Sequence, residues 1–198
     1  MKIKLLLIAL LIISQHSISQ TIEFGPMVQY HRTAFQKPDS GTIVISNNGA
    51  SEGVKTTETD PNLAFGGYFG YYTENTFAYI GELFYVGTSS PNYGDNTFHS
   101  INLVPSVAAE IMNTNIFINI GAGAGFIMNK PDFEGVNDVK GESYNNIDFL
   151  VKFALNFRLK ELFTLDGGIL VGGSDIVDNQ NRFHFYFGAR VPLNLILD

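Results

Sequence analysis

Residues 146–159 read NIDFLVKFALNFRL. Ile147, Phe149, Val151, Phe153, Leu155, Phe157 and Leu159 form an unbroken apolar row, and Asp148, Leu150, Lys152, Ala154, Asn156 and Arg158 stand between them. A period of two belongs to a β-strand, whose successive side chains point to opposite faces. One face of this strand is oily and the other carries charge. In a soluble sheet the oily face turns inward. In a membrane barrel the order is reversed, and the charges line the inside.

The pattern recurs in eight segments, each of a length that suits a tilted membrane strand of about ten residues. They lie at about 22–34, 62–72, 76–87, 99–111, 116–128, 146–159, 163–173 and 183–197. The fifth reads IFINIGAGAGFIM and the eighth FHFYFGARVPLNLIL. Between them short links (TEN at 73–75, MNTN at 112–115, KE at 160–161) alternate with longer ones at about 35–61, 88–98, 129–145 and 174–182, rich in Asn, Asp, Gly and Ser. Short turns at one end and long loops at the other are the habit of outer-membrane barrels, with the short turns periplasmic. An even strand number then leaves both termini in the periplasm. The longest loop contains TIVIS, Thr42 to Ser46, which could extend a strand above the membrane.

The faces decide between the two arrangements. With the oily face inward, the fifth strand would show water Phe117, Asn119 and three glycines, an unusual use of glycine, which weakens strands. With the oily face outward, the glycines make room in a narrow lumen beside Tyr68, Tyr72, Phe84, Phe117 and Tyr186. Glu82, Glu110, Lys152, Arg158, Asp166 and Arg190 all fall on the non-oily faces, where they form a candidate charge network. On the lipid face each would cost about 2–4 kcal/mol near the midplane if basic, and less if acidic. Tyr30, Tyr71, Tyr85, Phe157, Phe163 and Phe183 lie near strand ends on the oily face and suit aromatic girdles.

The N-terminus fits export. Lys2 and Lys4 precede an apolar run from Leu5 to Ile13, and Ser17 and Ser19 are the small residues of a cut before Gln20. Residues 1–19 read as a signal peptide and 20–198 as one barrel domain. The apolar run is too short for a spanning helix, which needs about 20 residues. Cleavage takes the formal net charge from −7 to −9. That balance excludes a nucleic-acid partner, which would want a basic face. The absence of cysteine excludes both disulfides and a lipid-modified N-terminal cysteine.

On IFINIGAGAGFIM and FHFYFGARVPLNLIL the chain resembles the eight-stranded outer-membrane barrels of the OmpX and OmpA transmembrane type. It also resembles the PorT-like and general outer-membrane β-barrel domains of Bacteroidota-like envelopes. The resemblance covers residues 20–198. It implies an all-β, antiparallel up-and-down transmembrane β-barrel of eight strands in the cell outer membrane. Such barrels commonly end in an aromatic residue; this chain ends LNLILD, with Asp198 last.

Chemistry has few footholds. His99 and Ser100 are adjacent and point to opposite faces, so they form no pair. Ser174, Asp175, Asp178 and His184 near the last loop are the best remaining constellation for a hydrolase or acyltransferase. Asp175 and Asp178 offer oxygen ligands, but their spacing matches no calcium loop. GAGAG is no phosphate loop, because no helix follows it. His31 and His184 face the lumen on strands that meet when the barrel closes. They read as a metal or pH-sensitive pair or, more plainly, as hydrogen-bonded lumen residues. Asp166 and Arg190 are expected nearly opposite each other, and Glu82 across from Gly66.

The expected protein is therefore not an enzyme. It is a structural or accessory envelope barrel with no cofactor and no metal. Its partners are outer-membrane lipid and, through the outer loops, another envelope protein. Three alternatives stay open: an accessory barrel of a secretion or assembly complex, an outer-membrane hydrolase or acyltransferase, and a secreted soluble β-barrel binding domain.

Overall fold

The computed structural model describes residues 21–36, 59–73, 76–89, 96–132, 141, 143–159 and 162–196. The expected signal peptide at 1–19, TIVIS, the KE turn and most of TEN lie outside them. Eight strands run in sequence order: β1 (Thr21–Phe35), β2 (Asp60–Tyr72), β3 (Phe77–Ser89), β4 (Thr97–Glu110), β5 (Ile116–Ile127), β6 (Ile147–Leu159), β7 (Phe163–Gly172) and β8 (Arg182–Arg190). Each pairs antiparallel with the next, and β8 pairs with β1, so the sheet closes into a barrel.

The oily face is outside. On β6, Lys152 is 1 % exposed and the adjacent Phe153 47 %. The alternation holds around the wall: Phe24, Leu63, Tyr79, Leu103, Ile120 and Phe187 all stand outward. A continuous apolar exterior of this extent is unlike the surface of a monomeric soluble protein. Among the described residues no helix is long and apolar enough to cross a membrane. A closed sheet can cross, because every strand finds its backbone partners in its neighbours.

Two lumen-side glycines show how tightly the wall coils. A Cβ on Gly168 would run into the Phe153 carbonyl across the β6–β7 pair, and one on Gly125 would crowd Asn102 and the Arg182 guanidinium. The first permits close backbone approach; the second makes room for a side chain.

The eighth strand is shorter than its apolar alternation suggests. It stops at Arg190, and Leu193–Ile196 form one helical turn, α1. Pro192 has no N–H to give a ladder. Leu193 and Leu195 are therefore not barrel-face residues. Because β8 reaches only Met27 on β1, residues 21–26 of β1 lack a β8 partner. Val191 donates to the Pro26 carbonyl. Beyond it the Asn194 side chain acts as a strand would: its Nδ2 donates to the Ile22 carbonyl at 2.7 Å and its Oδ1 accepts the Phe24 N–H at 3.0 Å.

At the long-loop end, Phe35, Phe98, Ile127, Ile176 and Val177 form a buried apolar cap inside the mouth, with Tyr144 packed against it. The β7–β8 connection supplies two of these residues. It turns through Asp178 and Asn179, both at positive φ, and Val177 bridges to Tyr144 and Gln180. At the short-turn end Tyr72, Ala78, Ile80, Ala108 and Phe117 fill the lumen.

Candidate functional site

Between the apolar ends the lumen is polar, because the inward positions of the strands carry the chain's buried charges. Lys152 Nζ lies 2.5 Å from Glu82 Oε2, and Arg190 Nη1 lies 3.7 Å from Glu82 Oε1. One carboxylate thus faces two cations. Lys152 also sits over the Tyr186 ring at 5.5 Å, and Arg190 over Tyr68 at 5.3 Å. The register places Tyr68, not Gly66, across from Glu82.

Asp166 pairs with Gly188 rather than Arg190, whose partner is Thr164. The acid and base are therefore diagonal neighbours on one face. Asp166 accepts a hydrogen bond from Gln29 Nε2 at 3.2 Å. With its nitrogen on Asp166, the Gln29 amide presents its oxygen to His31, 3.0 Å away. His31 Nε2 then carries the hydrogen and donates. His184 Nδ1 lies 2.9 Å from the Thr33 hydroxyl. The two imidazoles meet edge to face at 5.4 Å between ring centroids, each already committed to a polar neighbour. Among the described residues no group of three or more His, Cys, Asp or Glu is placed to hold a metal ion.

Arg158 and Glu110 stand apart from this centre. Arg158 binds Glu23 through both Nε and Nη2 and stacks on Tyr72 at 4.4 Å. Glu110 is only partly buried and accepts the Asn115 N–H at 2.8 Å in the β4–β5 turn.

A second layer lies above the histidines. Arg182 Nη2 is 2.9 Å from Asp148 Oδ2, both fully buried, and its Nη1 donates to Ser100 Oγ at 3.2 Å. Sequence reasoning missed Arg182 by ending the last loop at 182, and it left Glu23 and Asp148 out of the network. All three share the inward parity of their strands, which was the available signal. Ser174 accepts the Phe149 N–H, and Asp178 accepts the N–H groups of Gly141 and Ser143. With His184 held by Thr33, the Ser174, Asp178 and His184 side chains are engaged separately. His99 stacks on Tyr85 outside the barrel, with Nδ1 2.6 Å from the hydroxyl. Tyr144, in the loop above, donates to the Asn129 carbonyl, and burial pushes its hydroxyl above the ordinary tyrosine range.

The centre is tightly filled. The gap lined by Gln29, Glu82, Phe84, Lys152, Leu170 and Tyr186 has no volume that a water molecule could occupy.

No family model matches the chain, and no curated protein matches it. Solved structures do. Ail, the attachment invasion locus protein of Yersinia pestis, aligns over 84% of this chain and 95% of its own at 12% identity, with a TM-score of 0.52. Neisserial surface protein A aligns over 88% of this chain and 99% of its own at 10% identity, with a TM-score of 0.51. The likeness is one of fold.

Proposed function

We propose that this chain is a non-enzymatic outer-membrane barrel, closed to passage, that serves the envelope structurally and meets partners through its long-loop end. The observation that carries this reading is the inverted section: ion pairs inside, around a central gap with no water-sized space, and hydrocarbon-like side chains outside. A filled barrel meets partners outside the membrane through its ends. Ail is named for attachment, a role compatible with such a body. In this reading both termini and the short turns are periplasmic.

The test has three parts. The protein should fractionate with outer membranes and shift its gel mobility on boiling. It should pass no resolvable ion current in a planar bilayer. Asp175→Cys should label on intact cells with an impermeant maleimide, and Thr114→Cys should not. Recovery from the soluble periplasm without detergent would end the reading. Steady conductance would end its closed form, and labelling of Thr114→Cys alone would invert the orientation.

A further inference from the structure

Outside the barrel, Gly81, Pro105 and Ala122 sit side by side on β3, β4 and β5. Gly81 pairs with Pro105. The rungs Leu103–Ala124 and Ser106–Gly121 set Ala122 across from Pro105. A Cβ on Gly81 would meet nothing within 4 Å. Phe69, Tyr79, Val107 and Ile120 rise around these small residues and enclose a groove of about 690 Å³ open to the outside. That is the size of a small-molecule site, about 300–1,000 Å³.

The floor of the groove holds a backbone acceptor the sheet does not match. In an antiparallel strand the N–H and C=O of one residue address the same neighbour, and successive residues alternate. On β4 the His99 carbonyl accepts from Met128, so odd-numbered residues, Pro105 among them, address β5. The Glu110 N–H reaches Thr76, so even-numbered residues address β3. On β5 the Ile127 N–H donates to Asn146 on the β6 side, so even-numbered residues, Ala122 among them, address β4. The Ala122 carbonyl therefore points at Pro105, and proline has no N–H. The β4–β5 ladder is interrupted here, between Leu103 and Ser106. In hydrocarbon no water replaces the missing donor.

We infer that this groove is a lipid site selective for an acyl chain carrying a hydroxyl group along its length. The chain fills the apolar groove, and its O–H donates to the Ala122 carbonyl. The inference rests on the membrane reading above. A second copy docked about a twofold axis through the groove would set groove against groove and fill neither.

The barrel would be inserted into bilayers containing equal amounts of phosphatidylcholine with ricinoleoyl chains, which are hydroxylated, and with oleoyl chains, which are not. Retained lipid is then read by native mass spectrometry. Wild type should keep the hydroxylated lipid about five-fold over the other, the ratio one neutral hydrogen bond sustains. Pro105→Ala supplies the missing N–H to Ala122 and should erase the preference while the barrel still inserts. Gly81→Leu should fill the groove and release both lipids. Equal retention by wild type, or a preference that survives either substitution, overturns the site. A barrel that stays in water without detergent overturns the membrane reading and this one with it; an inserted barrel without preference overturns the site alone.

Discussion

Two ion pairs rise from the inner face of β6 and meet carboxylates on other strands. Lys152 pairs with Glu82 of β3 deep in the lumen, where the side chains are 2% and 1% exposed. Arg158 pairs with Glu23 of β1 near the short-turn end, where Arg158 is 21% exposed. The chemistry is alike and the surroundings are not. At the centre the gap beside the pair has no water-sized space, and Glu82 also faces Arg190. At the rim the guanidinium lies on the Tyr72 ring with one side toward solvent, so it can keep its packing and turn its charge to water. The difference teaches that depth, more than pairing distance, sets what each charge demands.

The largest effect should come from breaking the central pair. Glu82→Gln leaves Lys152 and Arg190 facing a neutral amide and should cost about 3–5 kcal/mol, the usual penalty for stranding a buried charge. Glu23→Gln should cost less than that, because Arg158, 21% exposed, can turn its charge to water although Glu23 itself is only 1% exposed. Urea titration of both variants in lipid vesicles measures the contrast. Equal losses would show the rim to be as dry as the centre.

A smaller effect is expected from the outer face of the same strand. Phe153→Arg puts a charge into hydrocarbon at about 2–4 kcal/mol near the midplane. Lys152→Met, one residue away, should cost less than Glu82→Gln, because Arg190 stays 3.7 Å from the carboxylate left behind. A neutral Phe153→Arg beside a Lys152→Met that no longer folds into lipid would reverse the two faces. The wild type belongs in the same series without lipid or detergent. A stable β-fold there would favour a soluble domain with Phe153 in a dry core.

Which residues face inward was legible in the sequence because the strand period is two and each charged residue of the network kept the parity opposite to the apolar row of its strand. Lys152 and Glu82 needed nothing more to be placed on the inner face. Register was less legible. A hairpin's pairing depends on its turn, and a slip of two residues keeps parity while changing partners. That is why Glu82 faces Tyr68 rather than Gly66, and why Arg190 pairs with Thr164. Arg182 was hidden for a different reason: the Asn and Asp of the preceding loop masked where β8 begins. The far end of β8 misled in the opposite sense. Its leucines keep the alternation past Arg190, but Pro192 cannot join a ladder, and periodicity alone does not register a missing N–H.

That missing ladder leads to the smallest expected effect. Where β8 gives out, one side-chain amide spans the two backbone groups of Ile22 and Phe24 that a continued ladder would have used. Asn194→Ala removes both hydrogen bonds. A typical intramolecular hydrogen bond contributes about 0.5–1.5 kcal/mol net, and these two lie at an exposed seam where water can substitute. The stability loss should therefore stay near the low end of that range, with the ion pairs of the lumen untouched. The sharper readout is local. Hydrogen exchange at the Phe24 amide should quicken in Asn194→Ala, while the amides of β1 that pair with β8 beyond Met27 keep their protection. Unchanged exchange at Phe24 would mean that something other than Asn194 closes the seam. Faster exchange along the whole of β1 would mean that this one amide holds the barrel shut, a role the two exposed hydrogen bonds are too weak to fill.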